Sequence, residues 1–205
     1  IERFHNPYGE PHENRFKWTP PDIKITSKAD TVFFAGCTAS YRRSEIAQAS
    51  LQILKEARVE FKTLPDEWCC GSPALRVGRR DLFKKMVEHN VDILSKAGIT
   101  RLVTSCAGCY RTFKRDYPEV AGNLPFQVLH TTELLEEMLD KDRLKLEKDV
   151  PLTVTYHDPC HLGRHVGVYE PPRKVLESIR GLTLIEMPRK KKSSWCCGAG
   201  GGVKS

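Results

Sequence analysis

Two adjacent-cysteine motifs constrain this 205-residue chain more than any other feature. Trp68-Cys69-Cys70-Gly71 and Trp195-Cys196-Cys197-Gly198 recur in matching surroundings. Cys37 precedes the first pair and Cys106-Ala107-Gly108-Cys109 follows it. Five of the eight cysteines therefore fall into one frame, C-x31-CC-x35-CxxC. Cys160 precedes the second pair in the same relation, and Ser205 is reached before a second CxxC. A frame written twice, with its last element missing, reads as a duplicated domain whose second copy is cut short.

The bulk numbers narrow the setting. At 40% apolar residues the chain can build a core, and no apolar run approaches the roughly 18 residues that span a bilayer. The N-terminus, Ile1-Glu2-Arg3-Phe4-His5, is polar, lacks a starting methionine and carries no signal-peptide pattern, so it reads as internal to a longer polypeptide. The net charge of +7 counts every cysteine as neutral, and ionising all eight would more than cancel it. No dense Lys/Arg stripe with interleaved aromatics follows a phosphate backbone, so no nucleic-acid partner is expected. CC and CxxC pairings without a targeting segment favour a reducing, cytoplasmic setting over disulfides. Any attachment to the inner face of a membrane is expected to run through a partner chain.

Along the chain, residues 1 to 28 hold Pro7, Gly9, Pro11, Pro20 and Pro21 among charges and read as a linker, or as an arm lying on a partner. Residues 29–148 then read as a first module and 149–205 as the start of a second. Strands are expected at 31–36, 59–64, 101–105 and 127–130, with helices at 44–58, 79–97 and 132–139, Thr132 being the candidate N-cap. After the charged stretch 140–149 come a strand at 152–156 ending near Cys160, a helix at 172–179 and a strand at 182–186, then a basic loop to Cys196. Strand, Cys, helix, strand and CCG occur twice in that order. The fold expected is α/β: two tandem modules, each a small mainly parallel sheet with flanking helices and cysteines on loops at the strand ends.

Thiolates are soft ligands that select zinc, copper(I) or iron–sulfur clusters. A structural zinc site takes four ligands; the adjacent pair suits it poorly and the fifth cysteine is surplus. A cubane [4Fe–4S] cluster also takes four thiolates. Five per unit point instead to a more open cluster in which one thiolate bridges two irons. A zinc site and a set of buried, unligated cysteines stay open as alternatives.

The residues also carry a resemblance. Gly36-Cys37, Trp68-Cys69-Cys70-Gly71, Thr104 to Tyr110, His157-Asp158-Pro159-Cys160-His161-Leu162-Gly163-Arg164 and Trp195 to Gly202 resemble the cysteine-rich CCG-domain family from about residue 30 onward. That family includes heterodisulfide reductase catalytic subunits, the fused D-type among them. It also includes iron–sulfur subunits of anaerobic glycerol-3-phosphate dehydrogenase, glycolate oxidase, lactate-utilisation and sulfite-reductase-associated complexes. The arm Asn6-Pro7-Tyr8-Gly9-Glu10-Pro11 resembles the segment after a two-cluster ferredoxin domain in fused members, which implies such a domain upstream.

The resemblance implies noncubane [4Fe–4S] clusters that split a disulfide of two thiol coenzymes. Cys37, Cys69, Cys70, Cys106 and Cys109 would ligate the first. Cys160, Cys196 and Cys197 would supply three ligands of a second, incomplete here. It implies as partners a ferredoxin-type or flavin-containing subunit, or a membrane cytochrome or quinone-linked subunit. An electron-transfer subunit of a membrane-associated, quinone-linked dehydrogenase would use the same cysteines.

Around that frame, His157 and His161 (with His165 nearby) are candidates to give a proton to a departing thiolate, against the plainer role of capping a loop. Arg42, a candidate catalytic residue, and Arg43 are candidates to hold an anionic group of the substrate, against a solvated helix end. Lys190 and Lys191 in the basic loop are candidates to steer an anionic substrate, against an exposed loop. Trp68 and Trp195 are expected to shield clusters, and Gly198 to Gly202 to donate backbone N–H groups to sulfur. Glu88 and His89 are expected on a solvated helix face.

Overall fold

The computed structural model describes residues 1–23, 26 and 28–200. Thr31-Val32-Phe33 are β-formers at the edge of the first sheet, and all three are buried. This strand, β1 (Thr31–Phe33), pairs in parallel with β2 (Arg101–Thr104), which pairs in parallel with β3 (Gln127–His130). Register aligns Val32 with Leu102 and Val128, and Phe33 with Val103 and Leu129.

Because side chains alternate across a strand, the first row feeds one core and the second row another. A parallel sheet must be covered on both faces, and the helices do this. On the Phe33 face lie α2 (Ser44–Glu56), through Ala47, Leu51 and Leu54, and α7 (Thr131–Asp140), through Leu134 and Met138. On the Val32 face lies α4 (Arg80–Lys96), through Leu82, Phe83, Met86, Val87 and Leu94. Each fully buried aliphatic side chain contributes roughly 1.5–3 kcal/mol. The buried cysteines sit on the Val32 side, packed into that same core.

The remaining helices of the first module are short. They are α1 (Gly36–Tyr41), α3 (Ser72–Arg76), α5 (Ala107–Arg111) and α6 (Pro118–Ala121), with a π turn at Thr112–Asp116 between the last two. The expected strand at 59–64 is a single parallel bridge, Val32 to Lys62. Phe33 N–H donates to Lys62 O and Lys62 N–H to Thr31 O, both at 2.9 Å. Pro65, which has no N–H and restricts Leu64, ends the ladder there. The expected N-cap Thr132 is also corrected. His130 caps α7, its ring nitrogen accepting from Thr132 N–H at 3.3 Å while Glu133 Oε2 accepts from His130 N–H at 2.8 Å.

The second half repeats the plan in reduced form. Strand β4 (Thr153–Val154) pairs in parallel with β5 (Thr183–Leu184), and α8 (Glu170–Glu177) packs against α7. Lys174 reaches Glu136 at 3.5 Å and Asp140 at 2.7 Å, and Leu162 enters the first core. The proline-rich arm folds onto the first module: Asn6, Arg15, Trp18 and Ile23 are buried. Among the described residues no helix is long and apolar enough to cross a membrane.

Candidate metal centre

Each cysteine of the first frame follows a strand or bridge of the sheet. Cys37 stands in the first turn of α1 after β1, Cys69-Cys70 follow the Lys62 bridge, and Cys106 is the N-cap of α5 after β2. All lie at the carboxyl ends of parallel strands, the edge where open α/β sheets place their sites. The thiols are free and all buried except the half-buried Cys106. The thiols act on one another's acidity in pairs, Cys37 with Cys69, Cys69 with Cys70, Cys70 with Cys109 and Cys109 with Cys106. All five line one cleft of about 480 Å³, with Tyr8, Ser72, Ser105 and His161 among the other walls.

Backbone geometry fixes the adjacent pair. Gly71 has φ +84 and its N–H donates to Cys69 Sγ at 3.4 Å. Gly198 has φ +72 and its N–H donates to Cys196 Sγ at the same 3.4 Å. Each CC pair is thus followed by a left-handed glycine that turns the chain back and points its amide at the first sulfur. Of the expected glycine run, Gly201 and Gly202 lie outside the described residues. A Cβ on Gly71 would also lie 2.6 Å from Phe83 Cδ2, whereas one on Gly78, also left-handed at φ +84, would meet nothing within 4 Å. Gly71→Ala is therefore expected to cost about 2–4 kcal/mol in denaturant unfolding, from backbone strain plus overpacking. Gly78→Ala, which carries the strain alone, is expected to cost about 1 kcal/mol.

Groups that the sequence did not single out hold the frame in place. Arg15 and Glu67 are both fully buried. Arg15 Nη2 and Nε donate to Glu67 Oε1 at 2.5 and 3.2 Å, and Nη1 points to Cys37 Sγ at 3.7 Å. Glu67 also accepts the N–H groups of Ala35 (3.2 Å) and Gly36 (3.0 Å), fixing the turn that presents Cys37. Burial pulls the Arg15 pKa down, but Glu67 and Cys37 outweigh it and hold the guanidinium above its ordinary range.

On α4, buried Asn90 accepts from Trp68 N–H at 3.2 Å and donates to Cys69 O at 3.0 Å, clamping the residues before the pair. Trp68 is stacked between His5 and His89 at 3.4 and 3.7 Å and packs half-buried against the core that holds the cysteines. His89 is no solvated residue, while Glu88 pairs with Lys84 at 3.8 Å on the exposed face.

Two thiols of the frame are acidic. Hydrogen bonds from Cys109 and Cys69 outweigh burial and bring Cys70 down to about 6, and the bond from Cys109 brings Cys106 down to about 6. Cys37 moves up, pushed by its hydrogen bond to Cys69 and by burial, with Arg15 opposing. A depressed thiol is ionised, and nucleophilic, above its pKa. In the metal-free reduced protein, alkylation of half-buried Cys106 by iodoacetamide is thus expected to rise through about pH 6. Mass-spectrometric mapping checks this; a rise only near the ordinary thiol value, about pH 8.5, would contradict it.

In the second frame, Cys160 Sγ lies 3.9 Å from Cys196 Sγ, with Cys196 and Cys197 exposed. Asp158 holds this loop from a buried position. It binds Arg173 through two bonds of 2.8 Å and accepts from Lys191 N–H at 2.7 Å. Trp195, expected to shield, is 70% exposed, with the Arg189 guanidinium over its ring at 4.5 Å. Two stacked imidazoles leave Trp68 half-buried, whereas a single arginine leaves Trp195 open.

The other expected site residues divide. His161 lines the first cleft, where a Cβ on Gly108 would sit 3.6 Å from both its Nδ1 and Cys106 Sγ. His157 Nε2 instead meets Trp195 O at 2.9 Å. Arg42 pairs with Glu10 at 2.7 Å, over the Tyr8 ring, and Arg43 with Glu45 at 3.6 Å. Lys190 is exposed, and Lys191 Nζ pairs with Glu170 at 2.6 Å. None of these five lines the cleft.

The donor set fits a soft metal group. Among the described residues one trio of ligand atoms lies mutually within 4.8 Å, Cys160, His161 and His165, so no three of the five cleft thiols are that close to one another. Tetrahedral zinc would leave one of them over.

Comparison with known proteins agrees. Residues 31–114 and 154–205 match the family model of the Cysteine-rich domain, CCG. The chain is 49% identical, over all its length, to 51% of the D subunit of the Dihydromethanophenazine:CoB--CoM heterodisulfide reductase of Methanosarcina acetivorans. It is 43% identical over 84% of its length to 33% of the B subunit of the Fumarate reductase (CoM/CoB) of Methanothermobacter marburgensis. It is also 34% identical over 98% of its length to 30% of the EtfAB:quinone oxidoreductase of Syntrophomonas wolfei. The chain spans about half the length of the heterodisulfide reductase polypeptides it matches. Twice-written frame, duplicated glycine geometry and full-length similarity agree: the chain belongs to the cysteine-rich CCG-domain family of iron–sulfur oxidoreductase subunits.

Proposed function

We propose that the chain is the disulfide-handling part of a heterodisulfide-reductase-like oxidoreductase, with a noncubane [4Fe–4S] cluster on Cys37, Cys69, Cys70, Cys106 and Cys109. The observation that carries this is the convergence of all five thiols on one cleft of roughly 480 Å³. Bound there, such a cluster supplies electrons and a Lewis-acidic iron for a thiolate product. The chain's own residues do the rest. Trp68 and the buried core keep water from the back of the site, the Gly71 amide supports Cys69 Sγ, and Arg15 and Glu67 fix Cys37. His161 lines the cleft beside Gly108 and would give its proton to a departing thiolate, a transfer that burial and the neighbouring His165 favour by lowering its pKa. Cys160, Cys196 and Cys197 would contribute thiolates to a second cluster. A ferredoxin-type or flavin-containing protein would deliver the electrons.

The test is EPR of the anaerobically isolated protein before and after adding thiol or disulfide. A shifted iron–sulfur signal is expected. An unshifted signal with rapid reoxidation by a quinone analogue would select the electron-transfer alternative, which the similarity to the EtfAB:quinone oxidoreductase favours.

A further inference from the structure

A buried ion pair with one free arm is seldom neutral in its effect on what that arm touches. The Arg15 guanidinium spends two nitrogens on Glu67 and turns the third, Nη1, to Cys37 Sγ at 3.7 Å, with both charged side chains fully buried. The guanidinium contacts both the carboxylate and the sulfur, and Tyr41 covers it at 5.6 Å. In so dry a place a fixed charge acts on its neighbours with little screening. Reduction potentials of iron–sulfur centres follow net charge, hydrogen bonds to sulfur and solvent exposure.

We infer that Arg15, carried on the N-terminal arm, is a positioning residue that sets the reduction potential of the first centre upward by placing its cation on Cys37, with Glu67 as the opposing charge. This rests on the iron–sulfur reading above. An added electron at the centre is stabilised by the nearer cation and opposed by the farther carboxylate. Removing each partner therefore moves the potential in opposite directions, which a merely structural support would not do.

The experiment is an EPR-monitored redox titration of the anaerobically isolated protein and its variants. Arg15→Gln is expected to lower the midpoint and Glu67→Gln to raise it. Each shift should be at least a tenfold change in the reduced-to-oxidised ratio at fixed poise, about 59 mV for one electron. Arg15→Lys, which keeps the charge, is expected to stay near the parent. If a single variant fails to fold, R15Q/E67Q, which removes the pair as a unit, is expected to titrate below the parent. Midpoints unmoved in cluster-containing variants, or moved in the same direction by both single changes, would overturn the inference. Absence of any iron–sulfur signal in the unsubstituted protein would instead defeat the cofactor reading, and the inference with it.

Discussion

Replacing Cys70 with alanine is expected to abolish the iron–sulfur signal of the first frame. Cys70 lines the cleft and is buried, and Cys109 and Cys69 hold its pKa down at about 6. Loss of a group that only supports a ligand costs about 10–100-fold in metal affinity, so loss of a ligand itself is expected to exceed that. Iron and sulfide analysis of C70A beside the parent is the check. Retention of full iron with an unchanged spectrum would show that Cys70 is not a ligand.

The second large effect is on stability. Arg15→Met is expected to cost about 3–5 kcal/mol, because it leaves the Glu67 carboxylate buried and uncompensated. The double variant R15M/E67L removes both charges and is expected to recover much of that loss, since well-packed apolar replacements of a buried pair are often neutral. Denaturant unfolding of parent, single and double variants measures it. Equal losses in R15M and R15M/E67L would mean that side-chain packing, and not the charge pair, was removed. The exposed pair Lys96–Asp92 at 2.8 Å serves as a contrast. Its disruption is expected to cost less than about 1 kcal/mol.

Much of this site was legible in the sequence because cysteine chemistry leaves few alternatives. The spacing placed Cys37, Cys69-Cys70 and Cys106/Cys109 after successive parallel strands, and the structure brings all five to one cleft. The long helices were legible too, since α2 and α4 repeat apolar residues with helical period. The short helices α1, α3 and α5 were not: five or six residues are too few to show a period.

The groups supporting the frame were harder to see. Arg15 sits in a proline- and charge-rich arm, and Glu67 is one acid among 26 acidic residues. Nothing local says that the two meet across 52 positions in the core. Asp158 and Arg173 do the corresponding work around Cys160, 15 positions apart. One clue was available: an acidic residue directly before Trp68-Cys69-Cys70 is drawn inward with the pair. The sequence shows His161 as a neighbour of Cys160, but only the fold turns it toward the first cleft, 3.6 Å from where a Gly108 Cβ would lie.

The most direct test of the five-thiolate centre is iron, zinc and acid-labile sulfide content of the anaerobically purified protein. Iron and sulfide in equal amounts, with an iron–sulfur EPR signal that survives replacement of Cys160, Cys196 and Cys197 by serine, is the predicted result. Zinc without sulfide would contradict it.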